Sequence, residues 1–246
     1  MNLESGRKVC LFTGAGGPLG ETFCRMFGAH YQIVAVLGRR VPQIVSQEQW
    51  WVDPLNPHAP LPENQSGVFA VQADLNDEAD LRRVVEVTLA RCDRIDLLVN
   101  AAAAGYWAPM LEGNQLLEAF QEQFDTNVLL PLRLSSLIAE YFWKNREVEN
   151  RQVNRCIVNI SSTAGIYIYP GQGQSVYSAS KAALNYLSMH MGDEFGGIGV
   201  RVNALAPNSF PSRVPTEWVA ESIRRLAESD ANGRILILDE GGERWV

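Results

Sequence analysis

Seven short apolar runs, bounded by turn residues and spaced along the whole chain, limit what this sequence can fold into more than any other feature. They fall at residues 8–13, 32–37, 68–73, 95–100, 157–160, 200–206 and 234–238. Short runs of this kind, rich in β-branched residues, read as buried strands. Residues 21–27, 78–90, 177–195 and 217–228 carry helical patterning, and residues 112–145 read as two helices or one long broken one, with Asn127 and Pro131 as a polar interruption. Strands alternating with helices build an α/β fold, a doubly wound parallel sheet of about seven strands with helices on both faces. No break in composition divides residues 1–246, so the chain reads as a single domain. Residues 41–67, with Pro42, Pro54, Pro57, Pro60, Pro62 and the pair Trp50-Trp51, read as a long loop insertion.

The first run leads straight into Gly14-Ala15-Gly16-Gly17-Pro18-Leu19-Gly20 and then into a helical stretch. A strand, a glycine-rich turn and a helix in that order form the context in which backbone N–H groups at a helix N-terminus cradle a pyrophosphate. Gly14, Gly17 and Gly20 allow that close approach, and Pro18 suits the first helical turn, where its missing N–H matters least. The second run ends in Gly38-Arg39-Arg40. In a dinucleotide-binding sheet an acid at this point would bind a ribose 2′-hydroxyl, and an arginine would accommodate a 2′-phosphate. The acid is missing and two arginines are present, which favours NADP(H), with NAD(H) as the second choice.

The fifth run ends at Ser161-Ser162, where parallel sheets hold their ligands. Fourteen residues rich in Tyr and Gly then lead to Tyr177-Ser178-Ala179-Ser180-Lys181. Residues four apart share a helix face. An ammonium beside a phenol favours the phenolate, so Lys181 is expected to lower the pKa of Tyr177 toward neutrality.

In order and spacing these segments resemble the short-chain dehydrogenase/reductase family, from about residue 8 to residue 242. Thr13 to Gly20 resembles its cofactor loop, with Pro18 in place of the middle glycine. Asp74-Leu75 resembles its adenine-contacting pair, and Asn100-Ala101-Ala102-Ala103 its N-N-A-G turn. Asn127 falls at its helix asparagine, Ser162 at its catalytic serine, and Arg201 to Asn208 at its R-V-N-x-x-x-P-G segment, which contains Pro207. Ser212 stands where a nicotinamide contact is common. The resemblance implies a Rossmann-type fold and hydride transfer between a nicotinamide and a carbonyl or alcohol substrate, with NADPH-dependent ketone or aldehyde reduction favoured. Tyr177 would move the proton and Ser162 would hold the substrate oxygen. Lys181 would tune Tyr177 and bind the nicotinamide ribose, and Asn127 would hold a helix kink and a water. A lyase or epimerase using bound nicotinamide, or a non-catalytic dinucleotide sensor, are the alternatives.

The resemblance also implies a homodimer or homotetramer paired through residues 116–142 and 177–195, with Leu137, Phe142, Trp143, Leu187 and Met191 helping to fill the interface. Residues 208–216 are shorter than the family's usual substrate lid. An open, wide pocket walled by Tyr106, Trp107, Tyr167 and Tyr169 is therefore expected, suited to a bulky or carrier-borne substrate. The net charge of −7 argues against nucleic acid or an anionic membrane as partner. Three scattered histidines and four separated cysteines suggest neither a metal site nor disulfides. Without a visible signal peptide or apolar span, a cytoplasmic location is expected.

Overall fold

The structure, a computed structural model, describes residues 6–38 and 67–246. Arg39, Arg40 and the loop expected over 41–67, apart from Gly67, lie outside the described residues. The strands are β1 (Lys8–Thr13), β2 (Tyr31–Leu37), β3 (Val68–Gln72), β4 (Leu97–Asn100), β5 (Cys156–Ile160), β6 (Arg201–Pro207), β7 (Ile235–Asp239) and β8 (Gly242–Trp245). The helices are α1 (Pro18–Phe27), α2 (Glu78–Cys92), α3 (Asn114–Phe124), α4 (Leu130–Ile138), α5 (Glu147–Val153), α6 (Ser175–Gly197) and α7 (Thr216–Glu228).

All eight strands form one sheet in the order β3-β2-β1-β4-β5-β6-β7-β8. The first seven are parallel, as expected, and β8 adds an antiparallel edge strand beyond the seven expected. Asp239 pairs with Gly242 across Glu240-Gly241, a two-residue hairpin loop whose acidic and glycine residues were the available signal. The chain runs outward from β1 to β3 and returns on the other side of β1 as β4, so the strand order reverses between β1 and β4. Such a reversal opens a crevice at the carboxyl ends of the strands.

Alternating side chains divide the core between the two faces of the sheet. Cys10 and Phe12 join the core beneath α1 and α7, with Phe23, Ile33, Val99, Val158 and Ile223. Val9 and Leu11 point the other way, to the core with Val84, Leu98, Leu134, Ile138 and Trp143. Phe142, Trp143 and Met191 belong to this core, and Leu137 and Leu187 pack against it. The subunit contact expected of Phe142, Trp143 and Met191 is therefore corrected: they close the chain's own interior, while Leu137 and Leu187 stay partly exposed. The large apolar side chains exposed within residues 116–142 and 177–195 are Leu117, Phe120, Tyr141, Tyr186 and Met189.

The broken helix expected over 112–145 resolves into α3 and α4 joined by a π-helical turn at Asp125–Leu129, with a second such turn at Ala139–Trp143. Each inserts a residue into the helical repeat and turns the side chains that follow. The second turn buries Trp143, whose indole N–H donates to the Ile95 carbonyl at 2.9 Å. Among the described residues no helix is long and apolar enough to cross a membrane.

At the opposite end of the sheet from the crevice lies a buried ionic cluster that the sequence reading missed. Asp96, just ahead of β4, accepts from the Val9 N–H at 3.0 Å, Arg94 Nε at 2.6 Å and Arg155 Nε at 3.2 Å. Arg155 is fully buried, over the Phe142 ring, and also donates to Asn150 and Glu149, each at 2.5 Å. Removing one partner of a buried pair strands the other charge, which typically costs about 3–5 kcal/mol. Asp96→Ala is expected to lower the unfolding free energy by about that much in urea titration; a loss below about 1 kcal/mol would show that the cluster is replaceable.

Candidate active site

The crevice follows from strand register. Thr13 of β1 is level with Asn100 of β4, so Gly14 and Ala101 leave the sheet side by side. The Thr13 hydroxyl accepts the Ala101 and Ala102 N–H groups at 3.0 and 3.2 Å. Gly14 has φ +70°, and a Cβ there would lie 2.7 Å from the Ala102 nitrogen. Both conditions call for glycine. Gly20 is fixed for a different reason: a Cβ would lie 2.4 Å from the Ala15 Cα, so only glycine lets α1 pack down on the turn. At Gly17 a Cβ would find nothing closer than 3.4 Å, which leaves that side open for a ligand.

Helix α1 begins at Pro18 with no side-chain cap. The N–H groups of a first helical turn have no partner within the helix, and its dipole favours an anion. A cleft of about 690 Å³ opens here, lined by Gly14, Gly17, Asp74, Leu75, Ala101 and Ala102 among others. Pro18 is exposed at the helix start, while Leu19 and Gly20 are buried behind it. Asp74 accepts from the Asn76 N–H at 3.0 Å, and its own N–H donates to Asp80 at 2.7 Å, which fixes the turn after β3. The uncapped helix start, the open side of Gly17 and the size of the cleft fit a dinucleotide.

Asn100 lies beneath the cleft rather than in its lining. Its amide donates to Asn159 at 2.8 Å, and Asn159 donates to Ser188 at 2.8 Å, which ties β4, β5 and α6 together in the interior.

Tyr177 lies outside the lining of the cleft, but Gly105, next after Ala104 in its wall, lies against the Tyr177 ring. Asn127, in the first π-helical turn and fully buried, accepts from the Ala104 N–H at 2.9 Å and donates to the Ala104 carbonyl at 2.8 Å. It also donates to Ser180 at 2.9 Å, and Ser180 donates to the Tyr177 carbonyl at 2.7 Å. Asn127 thus couples the end of the cleft to the first turn of α6. The hydrogen bonds of Thr13, Ala104 and Ser180 were not legible in the sequence, because they join segments distant in the chain.

Ser162 follows β5 and caps the short turn Thr163–Gly165, accepting from the Ala164 N–H at 3.1 Å. Gly165 lies against the α6 backbone, where a Cβ would be 2.7 Å from the Lys181 carbonyl carbon. This close packing brings Ser162 to the Tyr177 phenol. Lys181 is buried, its ammonium donating to the Ile160 carbonyl at 2.9 Å and lying 5.8 Å from the centre of the Tyr177 ring. Burial pushes the Lys181 pKa down to about 8.

The expectation that Lys181 lowers the Tyr177 pKa is corrected. Burial raises the phenol above its ordinary value, and the hydrogen bond with Ser162 opposes this only in part. The ammonium faces the Ile160 carbonyl and the ring, so desolvation prevails.

Trp107 meets Tyr177 edge-on, ring centres 6.4 Å apart. Tyr106 turns to Gln115, Tyr169 to Thr163 and Tyr167 to Arg244. Pro207 is buried at the end of β6, and Ser212 is exposed in the turn beyond it. In that segment Val214 is buried, and Phe210 packs on the same core. Arg213 and Asn208 both bond Glu240. Residues 208–216 are thus held down on the body of the fold.

The model of the short chain dehydrogenase family matches residues 8–222. Among curated proteins, the chain is 28% identical over 232 residues to the 3-oxoacyl-[acyl-carrier-protein] reductase FabG of Thermotoga maritima, covering 93% of this chain and 83% of that one. It is 26% identical over 227 residues to meso-2,3-butanediol dehydrogenase of Serratia marcescens, covering 92% and 81%. A short chain dehydrogenase from Bacillus anthracis shares the fold with a TM-score of 0.75 and 21% identity, each chain covered to 95%. With the family's model matched over most of its length and its sheet order built around the same kind of crevice, this chain belongs to the short-chain dehydrogenases, oxidoreductases that work with NAD or NADP.

Proposed function

We propose that this protein reduces a ketone or aldehyde with NADPH. The observation that carries this reading is the grouping at Tyr177: a half-buried phenol hydrogen-bonded with Ser162 and next to a buried lysine. Such a phenol keeps its proton at neutral pH and suits a donor, as carbonyl reduction requires. The nicotinamide, when bound, supplies the hydride. Ser162 holds the substrate oxygen by a hydrogen bond, and Tyr177 delivers its hydroxyl proton to that oxygen. Lys181 offers its ammonium to the cofactor's ribose and steadies charge left on the Tyr177 oxygen. Asn127 acts through Ser180 and Ala104 as a positioning residue.

The N–H groups of Leu19 and Gly20, with Gly14 and Gly17 beside them, would meet the pyrophosphate, while Pro18 offers no donor. Asp74 and Leu75 would border the adenine. Ala101 and Ala102 would border the middle of the cofactor, supported from below by Asn100. Pro207 and Ser212 would lie toward its nicotinamide end. Gly38 lines the cleft, so the chain enters its wall directly ahead of Arg39 and Arg40, the proposed holders of a 2′-phosphate. Leu117, Phe120, Tyr186 and Met189 are proposed as the pairing surface of a homodimer or homotetramer. The single domain spanning residues 1–246 and a cytoplasmic location belong to the same proposal.

Tyr177→Phe is expected to lower kcat by about 10²–10⁴ while leaving the NADPH dissociation constant within about twofold; retention of more than about half the activity would remove Tyr177 from the donor role. The discriminating assay is stoichiometric NADPH oxidation by an added carbonyl compound, which a sensor or an epimerase would not sustain.

On cofactor choice, a charge-assisted hydrogen bond to a phosphate contributes about 1.5–3 kcal/mol, or about ten- to hundredfold in affinity. Fluorescence titration should give NADPH that advantage over NADH, and Arg39→Ala should erase most of it; equal constants in the native protein would refute the preference.

Lys181 gives the pH dependence. Below about 8 the folded and unfolded chains both hold its proton, so the cost of burying the ammonium is fully present at pH 7. Between about 8 and 10.5 the folded chain sheds the proton first and the cost fades, so stability rises with pH across that window. Lys181→Met should therefore stabilise the cofactor-free protein at pH 7, by up to about 3 kcal/mol, and flatten that alkaline rise while abolishing turnover. A lower melting temperature at pH 7 would contradict this.

A further inference from the structure

The walls on either side of Tyr177 share a property that the reaction does not require. Residues 101–111 and residues 161–180 contain no Asp, Glu, Lys, Arg or His. The first leaves the cleft and carries Gly105 and Trp107, where a Cβ on Gly105 would come within 3.7 Å of the Tyr177 ring and Trp107 meets that ring edge-on. The second runs from Ser161 into α6. The two are joined across the site: the Ala108 N–H donates to the Gly173 carbonyl at 3.0 Å, and Gly173, at φ +62°, lies so close that a Cβ would be 2.9 Å from the Ala108 carbonyl carbon. The two segments thus meet at Ala108 and Gly173, and Gly105 and Trp107 of the first lie against Tyr177 of the second.

Three tyrosine hydroxyls of these segments are already engaged by the protein. The Tyr106 hydroxyl is engaged by Gln115 at 2.7 Å, the Tyr169 hydroxyl by Thr163 at 2.9 Å, and the Tyr167 hydroxyl accepts from Arg244 at 3.0 Å. Their rings remain to be used. Trp107, Met110, Leu111 and Ile168 are 61, 71, 100 and 93% exposed. Arg244 reaches this surface, but its charge is paired with Asp239 at 2.5 Å. Arg213, next to the Asn208 corner, is paired with Glu240 at 3.2 Å. An anionic substrate would meet no uncompensated cation from either guanidinium and would approach a protein of net charge −7. Apolar area removed from water would supply the affinity.

We infer that the substrate of the proposed reductase is a neutral, largely apolar ketone or aldehyde whose hydrocarbon body lies across Trp107, Met110, Leu111 and Ile168, and not an anionic or carrier-bound acyl group. This rests on the proposed carbonyl reduction and narrows it, and it sets the chain apart from what the name of the Thermotoga relative says of that protein. In the step, the carbonyl carbon gains a hydride from NADPH and the oxygen gains the Tyr177 proton. The products are the alcohol and NADP⁺, and Tyr177 is reprotonated from solvent.

The test uses the full-length protein with NADPH and three probes: 2-decanone, 9-oxodecanoate of similar length with a terminal carboxylate, and acetoacetyl-CoA. The expected result is a kcat/KM for 2-decanone about tenfold or more above either anion. Leu111→Lys and Ile168→Asp should each raise the 2-decanone KM about five- to tenfold with the NADPH dissociation constant unchanged. Turnover that favours 9-oxodecanoate or acetoacetyl-CoA would overturn the substrate class and leave the reductase reading standing. An unchanged KM in both variants with an altered mass in solution would assign the patch to a subunit contact and also overturn it. No NADPH oxidation with any of the three would refute the reductase reading itself.

Discussion

The hydroxyl of Thr13 is the interaction on which the rest of the site depends. It accepts two backbone N–H groups from the start of the β4 exit, and those groups would otherwise point into the space where the strands part. With Gly14 in a left-handed conformation beside them, β1 and β4 leave the sheet in contact and then diverge. The cleft begins at that point. Everything the site requires is referred to this junction: the glycine turn on one side, the Ala101 to Ala104 segment on the other, and the uncapped start of α1 between them.

From the junction, order passes along the chain by polar contacts between segments far apart in sequence. Asn127 grips Ala104 from both sides and reaches Ser180, which holds the Tyr177 carbonyl. The asparagine can do this because a π-helical turn rotates it off the regular helical repeat. On the other side Gly165 lets the Ser162 turn touch the backbone of α6. Tyr177 is thus located by two independent braces, and Lys181 by the Ile160 carbonyl. A buried lysine is an expense in stability that a purely structural protein would have no reason to carry. The ionic cluster of Asp96 and Arg155 lies at the other end of the strands, away from the site.

The chemistry is polar only over a small area. Ser162, Tyr177 and Lys181 lie within one turn of backbone packing, and around them the walls are uncharged and aromatic, with their hydroxyls already engaged by the protein. The short segment after β6 is anchored by Val214 and by the Glu240 contacts. Trp107 meets the Tyr177 ring edge-on, and the next residue, Ala108, is bonded to Gly173.

Much of the fold was legible in the sequence because strand burial, helical period and glycine turns are local properties. The seven parallel strands, the helices on both faces and the strand–turn–helix unit at Gly14 to Gly20 all follow from runs of a few residues. The grouping of Ser162, Tyr177 and Lys181 was legible as spacing along a helix and at a strand end. Three things were not. The π-helical turns depend on how α3 and α4 pack, since no short residue pattern specifies an extra residue in a helix. The direction of the Tyr177 shift depends on how much water the folded walls exclude and on which carbonyl attracts the Lys181 ammonium, and both are properties of assembled neighbours. Phe142, Trp143 and Met191 look like interface residues in sequence, and only tertiary packing turns them inward. The sequence by itself determined the sheet, the glycine-rich turn and the spacing of Ser162, Tyr177 and Lys181, because these are written in local pattern. Tertiary structure alone decided the burial of Lys181 and the meeting of residues 101–111 with residues 161–180 beside Tyr177, because both arise from contacts between segments separated by tens of residues.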